Sequence, residues 1–329
     1  MATVLGIEST AHTFGIGIVK NKKILANQRD MYTTSEGGII PLESAKHHAK
    51  VNQNIYEKAL KEANLKEDKI DAIAFSRAPG LAPCLIEGMK FAKELSKRLN
   101  KPLVPINHCI AHLEIGQITG AKDPVMLYAS GANTQVIAYA AGKYRVFGET
   151  LDIGIGNFLD TFARYAGIGF PGGPVIDGLA RKSKNYIELP YKVKGMDIAL
   201  SGILTNLRQK LESKKYKIED LAYSAQETVF AMLVETAERA LAHTGKKELL
   251  LGGGVACNSR LQEMCKIMCE ERGAKFFCPE RPLLVDNASM IAFLGEIMFK
   301  SGIKTMPDNL DEIDILPRQR TDDVEVTWK

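Results

Sequence analysis

Two histidines are the residues of this sequence best suited to chemistry. His108 and His112 stand four residues apart, with Cys109 directly after the first. On a helix this spacing projects both imidazoles from one face, where they could bind a single metal ion. It also fits an ordinary helix face with no metal, and the pair alone does not choose between the two interpretations.

Cys109 argues against a zinc peptidase. A zinc peptidase of the His-Glu-x-x-His kind carries a glutamate at this place as general base, and this chain has a cysteine instead. Hydrolysis by a metal-activated water is therefore not expected. A metal-dependent peptidase stays as an alternative function.

A distant carboxylate, Asp286, could complete a metal site. It precedes an apolar helix, where an aspartate is usually the N-cap. It could equally be the oxygen ligand that joins two histidines and leaves positions open for a substrate. Sequence spacing does not decide between the two roles.

Two polar turns at matching places predict a phosphate site. The first spans Gly6 to Thr13, and the second spans Tyr128 to Gln135 and includes Ala129, Ser130, Gly131 and Ala132. Small residues there let backbone N–H groups approach anionic oxygens, although each turn by itself could be an ordinary β-turn.

Glycine turns and carboxylates extend this site. Gly252-Gly253-Gly254 follows a leucine-rich strand and leads to Asn258, which is either part of an adenosine loop or simply a helix N-cap. Asp160 lies inside a predicted helix, which weakens a capping role. Asp177 follows Gly173 and Pro174 in what we predict to be a first helical turn, where the helix dipole alone favours an acid.

The elements that position these residues form one plan used twice. The predicted elements of the first half are strands at 4–8, 15–19, 24–29, 70–76 and 103–106, and helices at 41–63 and 83–99. Those of the second half are strands at 125–129, 134–140, 144–149, 248–252 and 274–277, and helices at 156–165, 174–183, 201–212, 218–243 and 258–272. Three hairpin strands followed by alternating helices and strands predict mixed α/β sheets flanked by helices.

The repeated plan predicts two actin-like lobes, the RNase H-like ASKHA architecture, with the active site in the cleft between them. We expect an N-terminal lobe at residues 1–122 and a C-terminal lobe at 123–284, with a helical insertion at about 150–247. Residues 285–329 are expected to form a helix and tail that pack back toward the first lobe.

Composition sets broad limits. The chain has 329 residues, 45% of them hydrophobic and 25% charged, as in ordinary globular proteins. Its net charge of +4 neither proves nor excludes a nucleic-acid partner. It has no basic leader and no apolar run long enough for a membrane, so we expect a cytoplasmic protein without a membrane partner. Its six cysteines include no Cys-x-x-Cys pair and are expected to be reduced.

Several separated motifs together resemble the universal tRNA threonylcarbamoyladenosine transferase family. They are Glu8 to Thr13, Gly37 to Pro41 with His47-His48, Asn107 to His112, Ser130 to Gln135, Gly169 to Pro174, Gly252 to Asn258, and Asp286-Asn287. The Ser-Thr-Ala-His run in the first motif makes the chain similar to the archaeal and eukaryotic branch, the catalytic subunit of the KEOPS complex, rather than to the bacterial TsaD homologue.

The resemblance implies transfer of threonylcarbamoyl from threonylcarbamoyl-AMP to the adenosine 3′ of the anticodon, in tRNAs reading ANN codons. It implies one divalent metal ion, with iron favoured and zinc possible, on His108, His112 and Asp286 with Tyr128 joining them. The residues implied to hold the adenylate, or ATP and AMP, are Tyr128, Ala129, Ser130, Gly131, Ala132, Asp160, Gly173, Asp177 and Asn258. Three alanines, Ala82, Ala132 and Ala288, replace glycines of relatives.

The resemblance also implies partners. These are tRNA, a small atypical protein kinase that is separate or fused to the chain, and small non-catalytic subunits. For tRNA the relevant cations are Arg181, Lys182 and Lys184, then Arg208, Lys210, Lys214, Lys215 and Lys217, unless these are only solvated helix faces. Besides a peptidase, a non-catalytic ATP-binding regulator of the same fold stays as an alternative.

Overall fold

The computed structural model describes residues 2–34 and 38–329, so Gly37 of the second motif lies outside the described residues. The first half forms a mixed five-stranded sheet in the order β3-β2-β1-β4-β5. Its strands are β1 (Thr3–Glu8), β2 (Thr13–Lys20), β3 (Lys23–Met31), β4 (Ala72–Ala78) and β5 (Leu103–Asn107). Its helices are α1 (Pro41–Ala63), α2 (Ala82–Leu99) and α3 (His108–Glu114).

The second half repeats this sheet. Its meander strands are β6 (Val125–Ala129), β7 (Thr134–Ala140) and β8 (Lys143–Glu149). The insertion then contains α4 (Ile155–Tyr165), α5 (Gly173–Ala180), β9 (Val193–Lys194), β10 (Asp197–Ile198), α6 (Ser201–Glu212) and α7 (Ile218–Thr244). The chain continues with β11 (Glu248–Gly252), α8 (Ser259–Glu271), β12 (Lys275–Phe277), α9 (Arg281–Leu284) and α10 (Ala288–Lys300). The sheet order is β12-β11-β6-β7-β8, which repeats the first sheet strand for strand.

The predicted two-lobe α/β architecture is therefore confirmed, with corrections of detail. The insertion is not wholly helical, because β9 and β10 pair as a short antiparallel hairpin. Helix α5 ends at Ala180 rather than at residue 183. The lobe boundaries at 122/123 and 284/285 stay a prediction.

Helix α10 crosses back onto the first sheet and packs against β1, β2 and β4. Gly6 and Gly17 are cross-strand partners beneath it. A Cβ on Gly6 would lie 2.4 Å from the backbone nitrogen of Ala292, and one on Gly17 would lie 2.4 Å from that of Ser289. The helix backbone can approach this closely only because both residues lack a side chain. This approach fixes the position of Asp286, two residues before the helix.

The two lobes share a hydrophobic cluster. It joins Val4 and Ala74 of the first sheet to Met126 and Leu250 of the second, and includes residues of α3 and α10. A segment after α10 then crosses both lobes: Thr305 forms a β-bridge with Leu103, whereas later residues contact the second lobe. The contacts of that segment with the second lobe include Arg320 with Glu149 at 3.1 Å and Thr321 with Gln135 at 3.4 Å.

In the described part of the chain, no helix is long and apolar enough to cross a membrane. The six cysteines are free, and four of them are buried.

Candidate functional site

His108 and His112 lie on α3, which begins directly at the carboxyl end of β5. Asn107 caps this helix by accepting the backbone N–H groups of Cys109 and Ile110. From the other side, Asp286 Oδ1 lies 3.3 Å from His108 Nε2 and 3.4 Å from His112 Nε2. The three predicted ligands are thus brought together, with their ligand atoms within 4.8 Å of one another.

The donor set fits a divalent metal ion. Ligands bound at about 2.0–2.1 Å in a tetrahedral site stand roughly 3.3 Å apart, which matches the two nitrogen–oxygen separations. Asp286 is not the N-cap of α10, because Asn287 takes that place by accepting the N–H of Met290. The N-cap interpretation of Asp286 is therefore wrong, and its carboxylate is available as a ligand.

Glu8, which the sequence analysis named only as part of the first motif and gave no role, orients the first histidine. Glu8, fully buried at the end of β1, lies 2.9 Å from His108 Nδ1 through Oε2. Its other oxygen accepts the backbone N–H and the hydroxyl of Thr10. A carboxylate on Nδ1 fixes the ring so that Nε2 faces Asp286 and the candidate metal position between them. The available signal was an acid at the end of an otherwise apolar strand.

The histidines differ in their electrostatic surroundings. Burial disfavours protonation of His108, but the negative charges of Glu8 and Asp286 outweigh it and raise its pKa well above the usual value. Burial lowers the pKa of His112, which Asp286 only partly offsets. Asp286 is opposed by burial as well, yet His108 holds the pKa of this carboxyl well below its usual range. The site therefore concentrates negative charge that a cation can neutralise.

Tyr128 and Cys109 flank the cluster. The Tyr128 ring lies against His112 with centroids 5.1 Å apart. The Cys109 thiol is buried, and burial raises its pKa. A thiol that stays protonated and faces the core is unsuited to act as a nucleophile.

The second polar turn, Ser130 to Asn133, is held by its backbone. Gly156 N–H at the start of α4 donates to the Ser130 carbonyl at 3.0 Å, and Asn157 N–H donates to the Gly131 carbonyl at 3.0 Å. The carbonyls thus face α4. Among the described residues with positive φ, Ala82, Ala132 and Ala288 do not occur. Alanine is therefore compatible with the backbone at all three positions.

Asp160 lies on α4, yet it caps another helix. Its Oδ1 accepts the N–H groups of Gly172 at 2.8 Å and Gly173 at 3.1 Å, at the start of α5. Burial raises its pKa, against the effect of these two donors. The expectation that a mid-helix position argues against capping was wrong, because the capped helix is a different one.

The turn at residues 252–258 combines a capped helix with an open glycine. Asn258 accepts the N–H groups of Arg260 and Leu261 through Oδ1 and donates one side-chain N–H to Gln226. Gly253 has φ +91° and packs on the Ala129 carbonyl. Gly254 is exposed, and a Cβ there would meet nothing within 4 Å.

Asp177 is the fifth residue of α5, one residue further in than predicted and just beyond the first turn. Its Oδ2 accepts the Arg181 guanidinium at 2.7 Å, and Arg181 in turn reaches Ser259 at the start of α8. Its Oδ1 is buried without a hydrogen-bond partner. A buried acceptor of this kind is costly unless a donor reaches it, so this atom is a candidate contact for a ligand hydroxyl.

Comparisons with known sequences agree on one family. Residues 22–293 match the family model described as "TsaD: tRNA N6-adenosine threonylcarbamoyltransferase". The tRNA N6-adenosine threonylcarbamoyltransferase of Thermococcus sibiricus is 56% identical over 98% of this chain and 99% of that protein. A probable bifunctional tRNA threonylcarbamoyladenosine biosynthesis protein of Methanosarcina mazei is 53% identical over 99% of this chain but 59% of that protein.

Solved structures show the same fold at low sequence identity. Full-length HypF, in a phosphate- and nucleotide-bound form, superposes with a TM-score of 0.61 at 12% identity over 90% of this chain and 56% of that one. Component A of (R)-2-hydroxyglutaryl-CoA dehydratase from Acidaminococcus fermentans gives 0.54 at 15% identity, over 89% of this chain and 97% of that one.

Proposed function

We propose a function for this chain on the premise that it belongs to the tRNA N6-adenosine threonylcarbamoyltransferase family. The chain transfers a threonylcarbamoyl group from threonylcarbamoyl-AMP to the exocyclic amine of the adenosine 3′ of the anticodon, in tRNAs reading codons that begin with A. The observation that carries the proposal is the convergence of His108, His112 and Asp286.

The reaction requires positioning more than a protein nucleophile. A bond forms between the adenosine amine and the carbamoyl carbon, the bond from that carbon to the phosphate oxygen breaks, AMP leaves with the electron pair, and the amine nitrogen gives up one proton to solvent. AMP is already a good leaving group, so holding the amine and the carbonyl in line supplies much of the rate. Cys109 and Ser130 are therefore expected to be replaceable as nucleophiles.

His108, His112 and Asp286 hold one divalent metal ion in this proposal, with Tyr128 as a further ligand. Two histidines and a carboxylate suit iron, which we favour, or zinc. When bound, the ion neutralises phosphate and carboxylate charge of the anhydride and polarises its carbonyl. Glu8 contributes by keeping His108 Nε2 directed at the ion.

The adenylate contacts the C-terminal lobe. Backbone groups of Tyr128, Ala129, Ser130, Gly131, Ala132 and Gly173 approach its phosphate, and the open face of Gly254 admits its adenosine. Asp177 Oδ1 accepts a ribose hydroxyl. Asp160 and Asn258, whose side chains are engaged in capping, act by holding the loops in place.

The partners in this proposal are tRNA and the KEOPS subunits. A small atypical protein kinase and small non-catalytic subunits would supply tRNA affinity and regulation. The Methanosarcina relatives support a fused partner, since this chain spans 59% of a protein named bifunctional. The activity is placed in the cytoplasm.

The test combines the purified chain, partner subunits, threonylcarbamoyl-AMP and unmodified tRNA, followed by mass spectrometry of the nucleosides. Threonylcarbamoyladenosine is expected with the unchanged chain and with a Cys109→Ala variant, and not with His112→Ala. Absence of the nucleoside while the metal site is loaded would overturn the proposal. A non-catalytic ATP-binding regulator would leave tRNA modification unaffected by His112→Ala, and a peptidase would cleave casein in a His108-dependent manner.

A further inference from the structure

The helical insertion carries a surface that combines cations with exposed aromatic rings. Between residues 161 and 217 there are 11 basic and 4 acidic residues, an excess of seven in a chain whose net charge is +4. The rest of the chain is therefore net negative by three. The exposed aromatic residues of the described chain, four tyrosines, all fall in the same segment: Tyr165, Tyr186, Tyr191 and Tyr216.

The fold joins two cation clusters that are separate in the sequence. Asp220, in the first turn of α7, accepts Ser183 at 2.6 Å and Asn185 at 3.0 Å. These bonds place the segment with Lys182 and Lys184 beside the α6–α7 connection, which carries Lys214, Lys215 and Lys217. The two clusters thus form one surface. We call it the tyrosine–lysine surface: Tyr165, Lys182, Lys184, Tyr186, Arg208, Lys210, Lys214, Lys215, Tyr216 and Lys217.

Cations and rings are paired on this surface. The Arg208 guanidinium lies 5.4 Å from the centre of the Tyr165 ring, and the Lys210 ammonium lies 5.1 Å from that of Tyr216. In the part of the chain that the structure describes, Lys182, Lys184, Lys214 and Lys215 form no ion pair with a carboxylate, whereas Arg208 pairs with Glu212 at 2.8 Å. These unpaired ammonium groups, on the same surface as the Arg208–Tyr165 and Lys210–Tyr216 pairs, suit a ligand that offers both anionic groups and flat bases.

Helix α4 links this surface to the candidate site. Its first residues bind the Ser130–Gly131 turn, and its last residue is Tyr165. Eleven residues span about 16 Å at 1.5 Å per residue, so the surface begins within one RNA-helix width of the cleft. A nucleotide held in the cleft would therefore have neighbouring nucleotides over the tyrosine–lysine surface.

We propose that the tyrosine–lysine surface binds the anticodon stem-loop of the substrate tRNA, with lysines on backbone phosphates and Tyr165 and Tyr216 against unpaired bases. This inference rests on the proposed function and adds where its RNA substrate docks. An RNA is favoured over an acidic protein because lysine is depleted in protein interfaces, whereas phosphate contacts and base stacking use this residue combination.

The experiment measures binding of a fluorescent anticodon stem-loop RNA to the full chain by anisotropy across a salt series. A Lys214→Glu/Lys215→Glu variant is expected to bind at least about tenfold more weakly, with a salt slope smaller by roughly 1–2, since each phosphate contact contributes about 0.7–0.9. Tyr216→Ala is expected to lose about tenfold with an unchanged salt slope. The matched control, Lys58→Glu/Lys61→Glu on α1, removes the same charge from the first lobe.

The possible outcomes distinguish a wrong docking surface from a wrong proposed function. Equal losses in the control and in Lys214→Glu/Lys215→Glu would overturn the proposal, because the effect would then be one of net charge. The proposal would also be overturned if Lys214→Glu/Lys215→Glu bound RNA as tightly as the unchanged chain. The same holds if that variant lost a protein partner instead, because the surface would then bind a protein. If the unchanged chain with partners makes no threonylcarbamoyladenosine, the proposed function fails. If it does make it and the variants bind RNA normally, only the docking surface is wrong.

Discussion

In the N-terminal lobe, the turn after β4 closes onto the first hairpin loop, whereas the equivalent turn in the C-terminal lobe stays open. Leu81 N–H donates to the Thr10 carbonyl at 2.8 Å, and Gly80 N–H donates to that of Pro317 at 3.2 Å. At the matching place after β11, Gly253 packs on Ala129 but Gly254 faces free space.

The difference shows how one strand order serves two tasks. Backbone hydrogen bonds close the N-terminal turns, and Glu8 and His108 of that lobe converge on the proposed metal position. The open C-terminal turn leaves backbone accessible, which is what a phosphate or a flat ring requires. Rigid side chains in one lobe and accessible backbone in the other therefore meet across the cleft.

Removing a metal ligand should have the largest effect on metal binding and on transfer activity. His112→Ala and Asp286→Ala are each expected to abolish bound metal and to lower transfer at least about 100-fold, because changes to the outer shell alone cost 10–100-fold. Elemental analysis and nucleoside mass spectrometry measure the two effects. His243→Ala, an exposed histidine of the other lobe, is the control. Full metal content in both ligand variants would contradict the assignment.

Acid should destabilise the N-terminal lobe first. Burial lowers the pKa of His48 to about 4, with the charge of His47 adding to the effect. Below pH ~6.5 the unfolded chain takes up a proton at His48 that the folded chain does not take up until the pH falls through about 4. The free energy of unfolding is therefore expected to fall by ~3 kcal/mol across this range. Urea unfolding at pH 7 and pH 4 should show this loss, reduced by that amount in His48→Gln but not in His243→Gln. An identical acid response in His48→Gln would refute it.

Weakening the contact between Glu8 and His108 should lower metal affinity less than removing a ligand does. Glu8→Gln keeps the size of the side chain but loses the charge facing His108, so metal affinity is expected to fall about 10–100-fold. Competition with a chelator measures this, and Glu43→Gln on the exposed face of α1 serves as the control. If Glu8→Gln binds metal as tightly as the unchanged chain, the orienting role is excluded.

The smallest effect is expected from substitutions in the open turn at Gly253 and Gly254. Gly254→Ala should leave the melting temperature nearly unchanged and weaken binding of an AMP analogue about tenfold, because its methyl group enters the free space. Gly253→Ala should instead lower the free energy of unfolding by at least ~1–2 kcal/mol, because L-residues at positive φ are strained and its Cβ would lie 2.4 Å from the Ala129 carbonyl oxygen. Thermal melts and calorimetric titrations would show whether the two glycines separate in this way.

The sequence predicted the elements and site residues that local pattern and side-chain chemistry mark directly. Helix α1 and the strands at 125–129 and 134–140 occur with the predicted bounds, because Pro41 and the long apolar runs mark them clearly. His108 and His112 were named from residue type and spacing, whereas the ligand role of Asp286 came from the family resemblance. Asp286 follows His112 by 174 residues in the sequence. Its closeness to the histidines depends on the packing of α10 against the first sheet, which spacing alone does not show.

Tertiary contacts account for what the sequence did not predict. Asp160 caps α5 rather than its own helix, and only the packing of α4 against α5 makes this possible. The β9–β10 hairpin has two residues in each strand, too few for any periodicity to register. Glu8 acquires its role from His108, 100 residues away.

The position of α10 has a consequence for synthesis on the ribosome. The first sheet is complete in sequence at Asn107, but the helix that covers Gly6 and Gly17 ends at Lys300. Domains usually fold in the order in which they are made. Here we expect the first lobe to wait for the second, with one face of its sheet uncovered until nearly the whole chain has emerged. A nascent chain arrested before residue 288 should therefore be captured by chaperones, whereas one extended beyond residue 300 should be released.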